Sequence, residues 1–554
     1  MKLKKIIAPA LFLFLMIPQT TRGENPVFKD DYTFDELFTD PAILQHLNET
    51  TYEFTRTVFD PFDTIDILDE VMNIRSLLRE NLFLRTNPLN SRDVLDLPMG
   101  MLDKNYEYNN WLSSVGVFWN MTDRSYFSRG CDSIRAYLAL TQEDFLEEVR
   151  EASQKVKDFE IAEFDFDPAD AFILFKNGTV QERRFGLLFY GRKALRNWNF
   201  SWKFPFYYLE RNFWFTEKEQ EEIEKLLGAL DEDEQEKFQS EHMISDKLGF
   251  GDLRFSFDFP LSKNENFSAR IGAFITVPTA WAVAKGLKGS KFCPVVGNRE
   301  TDLKELINYH LNELFTIATD GTTTGKETVL DSLTDLAYMA IDHTASHLLD
   351  VPLGNGRHTG FGVHFSSRTP LNFFIQQRWA DNIVMKSFMS LEYLLPATET
   401  RFFREQIDVR ALDMLPFDDE DKATENMIFL EQQIVNKLFP YACDTTVYPG
   451  LVFKWTSKAT YETDRWGMHL GTDMWVKSSE RLYDIKAEGD LGKRLDIYNG
   501  VKLRGYQSKV LGSVFFKVHK DNRDWTISID GDATLMRSGI GGDYTISLNL
   551  EVDF

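Results

Sequence analysis

The chain has 554 residues, 43% of them hydrophobic, and a formal net charge of −24. This length allows one large domain with insertions or two domains, and the composition is that of a folded protein rather than a disordered one. The acidic balance, without a dense cluster of Lys and Arg, excludes nucleic acid as a partner, because neutralising phosphates requires a basic face. The 47 Phe and 11 Trp residues need a core, an interface or lipid to cover them.

Residues 1–23 predict a signal peptide for export. Lys2, Lys4 and Lys5 form a positive start, residues 6–17 are apolar apart from Pro9, and small residues precede position 24. The apolar stretch is shorter than the ~20 residues that a membrane-spanning helix needs. We therefore expect export beyond the inner membrane. Residues 24–110 have mixed character and predict an N-terminal extension or plug.

The following part, 111–554, contains short segments with strand character separated by insertions with helical character. The first predicted strands are 111–121, 172–175 paired with 179–191 across an Asn177-Gly178 turn, and 197–208. A helical insertion at about 216–245 follows. Thr216 and Glu219 have the spacing of a capping box at its start.

Residues 249–279 predict a β-hairpin. In the first strand Leu253, Phe255, Phe257 and Phe259 alternate with polar residues, and the second strand, 267–277, continues this alternation after a short turn at 263–266. Alternate side chains of a strand point to opposite faces, so each strand has an apolar and a polar face.

The same residues carry a family resemblance. Gly249-Phe250-Gly251-Asp252 opens the hairpin and Val277-Pro278-Thr279 ends it. This pattern resembles a hairpin of outer-membrane proteins of the meta-pathway of phenol degradation and, more loosely, of fatty-acid and aromatic-hydrocarbon transporter barrels. The resemblance covers 249–279 alone. It implies an outer-membrane barrel and suggests a hydrophobic solute.

The middle of the chain predicts helical insertions at about 300–345 and 400–440, with strands at 359–367, 372–379 and 384–395 between them. His343 and His347 have the i, i+4 spacing of two metal ligands but lack the Glu of a zinc protease, which favours an ordinary polar helix face. Residues 321–327 resemble a phosphate-binding loop, but they are one residue short and have Glu327 where Ser or Thr should hold magnesium. We expect no metal and no cofactor.

The C-terminal segments predict strands at 447–457, 466–477, 493–504, 510–518 and 525–530, and the last strand has the clearest alternation. Its apolar face extends to the final residue and comprises Tyr544, Ile546, Leu548, Leu550, Val552 and Phe554. The terminal aromatic residue with alternating apolar residues before it resembles the signal that the outer-membrane barrel-assembly machinery reads.

Together these patterns predict a mainly β fold, a transmembrane antiparallel β-barrel of about 12–14 strands with helical loop insertions. Lipid offers no hydrogen-bond partner to backbone groups, so strands cross a membrane only as a closed barrel. With these strands, the long 396–446 segment is expected at the same end of the barrel as the C-terminus. The predicted location is the outer membrane.

The predicted function is an outer-membrane pore or passive transporter for a small solute of unknown identity, with outer-membrane lipid as a further partner. Polar alternate residues would line the lumen. The candidate lumen residues are of mixed charge, which predicts no strong ion selectivity, and they are Arg254, Asp258, Arg270, His469, Asp473, Lys477, Lys502, Arg504 and Asp530.

Three alternatives fit the same patterns. A structural or adhesive surface protein would use the barrel as an anchor and its acidic loops as the working part. A soluble exported α+β protein would pack the apolar strand faces against helices. An enzyme is not expected, although an outer-membrane hydrolase would recruit rim residues such as His364, His469, Asp473 and Asp530.

Overall fold

The fold was analysed in a computed structural model of the chain. The structure describes residues 88–98, 111–122, 177–195, 197–226, 243–264, 267–288, 348–375, 377–406, 440–487, 489–520 and 523–554. The predicted signal peptide, most of the N-terminal extension, the 300–345 insertion with His343 and His347, and residues 172–175 lie outside these ranges.

Strands dominate the described residues. In chain order they are β1 (Trp111–Thr122), β2 (Thr179–Ala194), β3 (Asn199–Trp214), β4 (Ile244–Phe250), β5 (Leu253–Asn264), β6 (Phe267–Val277), β7 (Trp281–Lys285), β8 (Gly360–Pro370), β9 (Ile383–Leu394), β10 (Ala397–Phe403), β11 (Tyr441–Tyr448), β12 (Leu451–Glu462), β13 (Trp466–Lys477), β14 (Arg481–Ile485), β15 (Gly505–Lys520), β16 (Arg523–Ser538) and β17 (Asp543–Asp553).

Twelve of the described strands form one closed antiparallel barrel. Their order around the ring is β1, β17, β16, β15, β13, β12, β9, β8, β6, β5, β3 and β2, and the pairing of β2 with β1 closes it. Phe554 follows β17 at one end, which we call the turn end, and its N–H donates to the Trp111 carbonyl across the seam at 2.8 Å. The predicted barrel is confirmed, at the lower limit of the predicted strand number.

The barrel has an apolar outer face and a polar inner face. In β17 the outward Ile546 and Leu548 are about half exposed, whereas the inward Ser547 and Asn549 are buried. The same alternation follows the ring to Ile529 and to Leu470, which is 66% exposed. These apolar side chains form a belt that no protein layer covers among the described residues.

The hairpin of residues 249–279 is present, and both of its strands are broken at the same level. Leu253 pairs with Val277, while β4 and β7 pair with each other beyond the break. The Asp252 carboxylate holds the break: it accepts N–H groups from Ala280 at 3.1 Å and from Asn355 at 2.7 Å. β6 pairs with β8, whereas β7 pairs with β4 and diverges from β8.

Long connections are at the end opposite the turn end, which we call the loop end. The connections that begin after β1, β3, β9 and β13 are all there, and the short connections at 195–198, 265–266, 463–465 and 521–522 are all at the turn end. Long loops on one side and short turns on the other are typical of bacterial outer-membrane barrels. The expectation that 396–446 lies at the end of the C-terminus is therefore wrong.

That error follows from a strand that does not exist. Residues 372–379 lie in two 3-10 helices, η2 (Leu371–Phe373) and η3 (Arg378–Asn382), at the turn end. Pro370 is the N-cap of η2, and Asn372 donates to Asp381 at 3.1 Å, which joins the two helices. Without this strand, β9 runs towards the loop end and the parity of every later strand is restored.

Two further predicted strands differ from the structure. The 447–457 segment is divided at Pro449-Gly450, where Gly450 has a φ of +81°, a conformation that favours glycine. Residues 493–504 contain a short helix, α2 (Leu491–Arg494), and a 3-10 helix, η4 (Ile497–Gly500). The Asp496 side chain accepts the Tyr498 N–H at 3.1 Å and so stabilises a turn in place of a strand.

The loop end carries its own small structures. β10, β11 and β14 form a three-stranded sheet outside the ring, so the start of the predicted 400–440 helical insertion is strand. The predicted capping box is confirmed: Thr216 N donates to Glu219 at 2.9 Å, Glu219 N donates to Thr216 at 3.4 Å, and the helix α1 (Glu217–Leu226) follows. In the described part of the chain, no helix is both long and apolar enough to cross a membrane.

Candidate functional site in the barrel interior

Residues 88–98 lie inside the barrel, and their upper part is fixed at the loop end. The Asn90 side chain donates to the carbonyls of Leu503 and Gly539, each at 2.7 Å, and Asn90 forms a parallel bridge with Ile540. This segment, which we call the inner segment, is therefore anchored to the rim between β15 and β16.

Arg92 ties the inner segment to the wall. Its guanidinium donates to the Asp473 carboxylate at 2.6 Å and to the Gln507 side chain at 3.1 Å. Asp473 also accepts the Thr456 hydroxyl at 2.6 Å, and Arg184 donates to the Arg92 carbonyl from the other side of the barrel at 2.6 Å. The contact thus spans the lumen from β2 to β13.

The lower part of the inner segment is a short 3-10 helix, η1 (Val94–Asp96), surrounded by cations. Lys203 donates to the Leu95 carbonyl and Lys454 to the Asp96 carbonyl, each at 2.7 Å. Arg254 pairs with the Asp96 carboxylate at 2.9 Å. Burial by itself would raise the pKa of Asp96, but the charges of Arg254 and Lys454 lower it to about 2. The carboxylate is ionised throughout the physiological range.

A cavity lies on each side of the inner segment. The upper one, towards the loop end, has a volume of about 670 Å³ and a mixed lining that includes Asp93, Arg211, Glu399 and Lys477. The lower one, towards the turn end, has a volume of about 220 Å³ and is lined from above by Leu95, Leu97 and Pro98. The inner segment therefore separates two chambers.

Most predicted lumen residues lie on the inward faces of their strands. Arg254 pairs with Glu392 at 2.8 Å as well as with the inner segment. Arg270 pairs with Asp258 at 2.6 Å, and Asp258 also accepts the Asn199 amide at 2.9 Å. The structure thus joins three of the predicted residues into ion pairs near the lower cavity.

Lys477, Lys502 and Arg504 belong to the loop end. Lys477 lies at the last position of β13 and pairs with Glu480 at 2.9 Å. Lys502 is in the loop before β15, 3.9 Å from Glu399 and 4.0 Å from Glu480, and it lines the upper cavity. Arg504 is exposed in the same loop. Lys502 and Arg504 are therefore not strand residues.

His469 and Asp530 are neighbours in the lumen without a hydrogen bond between them. His469 Nε2 lies 3.9 Å from the Asp530 carboxylate, and Ser513 is the cross-strand partner of both residues. In the described part of the chain, His469 Nδ1 and the Ser513 hydroxyl have no hydrogen-bond partner. A base must be within hydrogen-bond reach of its nucleophile, so this trio forms no proton relay in this state.

His364 and Asp473, the other residues considered for a hydrolase, are engaged elsewhere. The His364 ring packs between Phe274 and Phe388, with centroid distances of 6.1 and 5.7 Å. Asp473 is held by Arg92. The four candidates therefore form no common cluster among the described residues.

Sequence reasoning missed the inner segment and its basic partners. Lys203, Lys386 and Lys454 lie in segments that were predicted as strands, and the alternation within those segments would have placed them on the inward face. Residues 88–98 have no such periodic signal. Their position depends on contacts such as that of Arg92 with Asp473, 381 residues away in sequence.

The closed ring, its apolar outer face and its polar, chambered interior define the chain as a transmembrane β-barrel. No family model and no curated protein matches the sequence.

Solved structures similar to the chain include outer-membrane channels. The COG4313 outer membrane channel from Pseudomonas putida F1 is 6% identical, with a TM-score of 0.37 over 82% of this chain and 100% of that chain. The toluene transporter TodX from Pseudomonas putida is 8% identical, with a TM-score of 0.28 over 85% and 96%. The transport unit of the autotransporter AIDA-I from Escherichia coli is 7% identical, with a TM-score of 0.29 over 83% and 95%.

Proposed function

We propose that this chain is an outer-membrane pore or passive transporter for small solutes, with the inner segment as a plug. The observation that carries the proposal is the two-chambered polar interior of a barrel whose outer face is apolar. A solid, side-chain-filled interior would suit a mere anchor, whereas cavities of about 670 and 220 Å³ leave room for solute on both sides of residues 88–98.

The apolar belt supports membrane insertion and the location that the predicted signal peptide implies. Exposed side chains such as Phe259, Ile271, Leu470, Phe516 and Ile529 follow one another around the ring. A soluble α+β protein would cover this belt with helices, and an apolar surface of this extent in contact with water would drive aggregation. The C-terminal strand residues 544–554 remain the predicted signal for the barrel-assembly machinery.

Planar bilayer recordings of the purified full-length mature chain test the proposal. We expect small, discrete current steps from the wild-type protein, because the plug narrows the path without filling it. A variant with Ser in place of Arg92, Val94, Leu95 and Asp96 should conduct more, because its contacts with the wall are lost. If both proteins fold into heat-modifiable barrels and neither conducts, the pore proposal is wrong and the anchor role is favoured.

A further inference from the structure

The lower cavity has an excess of positive charge in an otherwise acidic protein. Among the described residues that line it, two are acidic, Asp258 and Glu551. The basic ones are Arg192, Lys203, Arg254, Arg270, Lys386, Lys454 and Lys458. A cavity with low-dielectric walls concentrates the field of such charges and attracts anions.

Hydrogen bonding does not cancel the charges of two of these groups. Lys203 and Lys454 donate to the main-chain carbonyls of Leu95 and Asp96, which satisfies an N–H group but brings no formal negative charge. Arg254, by contrast, has two carboxylate partners and Arg270 has one. The excess is therefore carried by lysines.

Two of these lysines face each other directly. Lys386 of β9 is the cross-strand partner of Lys458 of β12, and Arg368 of β8 is the partner of Lys386 on the other side. Like charges in directly opposed positions destabilise a sheet. Three adjacent strands that each place a cation at the same level favour an anion bound against them.

A buried group with free hydrogen-bonding capacity lies in the same wall. His469 lines the cavity and is 7% exposed, and its Nδ1 has no hydrogen-bond partner among the described residues. Buried polar atoms are normally satisfied, so an atom of this kind points to a ligand or an ordered water.

The rest of the lining is apolar and partly aromatic. Phe274 and Phe388 flank the His364 ring, and Trp202 and Leu511 add further apolar surface. The volume of about 220 Å³ suits one small ring, since an engineered cavity of ~150 Å³ holds benzene.

We propose that the lower cavity is a binding site for a small organic carboxylate with a compact aromatic or branched apolar body. The carboxylate would lie against Lys386 and Lys458, and the apolar body would lie on the side of Phe274 and Phe388. The inference rests on the proposed function, because it names the solute class of the same lumen. The expected weak ion selectivity concerns the whole lumen, whereas this site lies at one level of it.

Isothermal titration of the full-length chain in detergent micelles tests the site, with benzoate as the probe and benzyl alcohol as its neutral counterpart. We expect benzoate to bind at least ~10-fold more tightly than benzyl alcohol. The double variant Lys386→Gln/Lys458→Gln should lose ~10-fold in benzoate affinity and keep its affinity for benzyl alcohol. Lys520→Gln, an exposed change at the turn end, is the matched control and should bind both probes as the wild type does.

Three results would overturn the inference: equal affinities for the two probes, an unchanged benzoate affinity in a double variant that folds as a heat-modifiable barrel, or inorganic phosphate displacing benzoate at equal concentration. The last result would reduce the site to one that recognises charge alone. Benzoate binding without current in bilayers would leave the site standing and remove the pore, and current without benzoate binding would do the reverse.

Discussion

The Arg92 guanidinium lies 2.6 Å from the Asp473 carboxylate, and both side chains are almost completely excluded from solvent. The pair joins the inner segment to β13. Removing one member of a buried ion pair costs about 3–5 kcal/mol, because the other charge stays buried without compensation. The docked position of residues 88–98 therefore depends on both members.

Arg92→Met is expected to release the inner segment and to raise single-channel conductance in planar bilayers. The isolated Asp473 carboxylate regains water when the segment leaves, so the open state is favoured over the docked one. Arg92→Met/Asp473→Leu should return the conductance towards the wild-type value, because it leaves no uncompensated charge. Arg481→Met, an exposed change in β14, is the control; a conductance gain in the control as large as in Arg92→Met would contradict the prediction.

The sequence predicts the barrel wall well because the strand signal is local. Ile546 and Leu548 alternate with Ser547 and Asn549, and this period of two is itself the cause of the two-faced wall. The failures at 372–379 and 493–504 have the same physical origin: short apolar alternation was overridden by a proline N-cap in one case and by the Asp496 side chain in the other.

The interior is much less predictable. The lumen candidates Arg254, Asp258 and Arg270 follow from strand phase, but their pairing does not, because register is set by contacts between strands. Lys386 and Lys458 are separated by 72 positions (458 − 386) and become neighbours through the pairing of β9 with β12. The docking of the inner segment likewise depends on long-range contacts, and no residue pattern in 88–98 announces it.

Leu548→Arg is expected to destabilise the barrel by about 2–4 kcal/mol, the cost of a cation on the lipid face near the bilayer midplane. Leu548 is near the middle of β17 and is about half exposed on the apolar belt. Urea unfolding of the protein in lipid vesicles measures the change. Leu503→Arg, an equally exposed leucine in the loop before β15, should cost little; equal losses for both variants would argue that lipid does not cover Leu548.

The loop end carries a buried ion network outside the membrane-spanning strands. His358 Nε2 lies 2.6 Å from Glu399, and Arg401 lies 2.8 Å from Glu399 and 2.9 Å from Glu480. Burial would raise the pKa of Glu399, but the charges of Arg401 and Lys502 outweigh it and hold this pKa well below its usual range. Burial likewise lowers the pKa of Lys502, to about 8, despite the two carboxylates beside it.

Glu399→Gln is therefore expected to destabilise the folded protein in a pH-dependent way. The folded-state pKa of Glu399 lies below its unfolded value of ~4.3, so the unfolded chain binds the proton more readily. The stabilisation is fully present above the unfolded pKa and is lost as the pH falls through the folded one. The difference in unfolding free energy between wild type and variant, measured by urea titration in micelles, should thus be constant from pH 7 to pH 5 and shrink on further acidification. Glu217→Gln, an exposed change at the start of α1, should give a difference near zero at every pH; a Glu399→Gln difference that grew on acidification would contradict the assigned network.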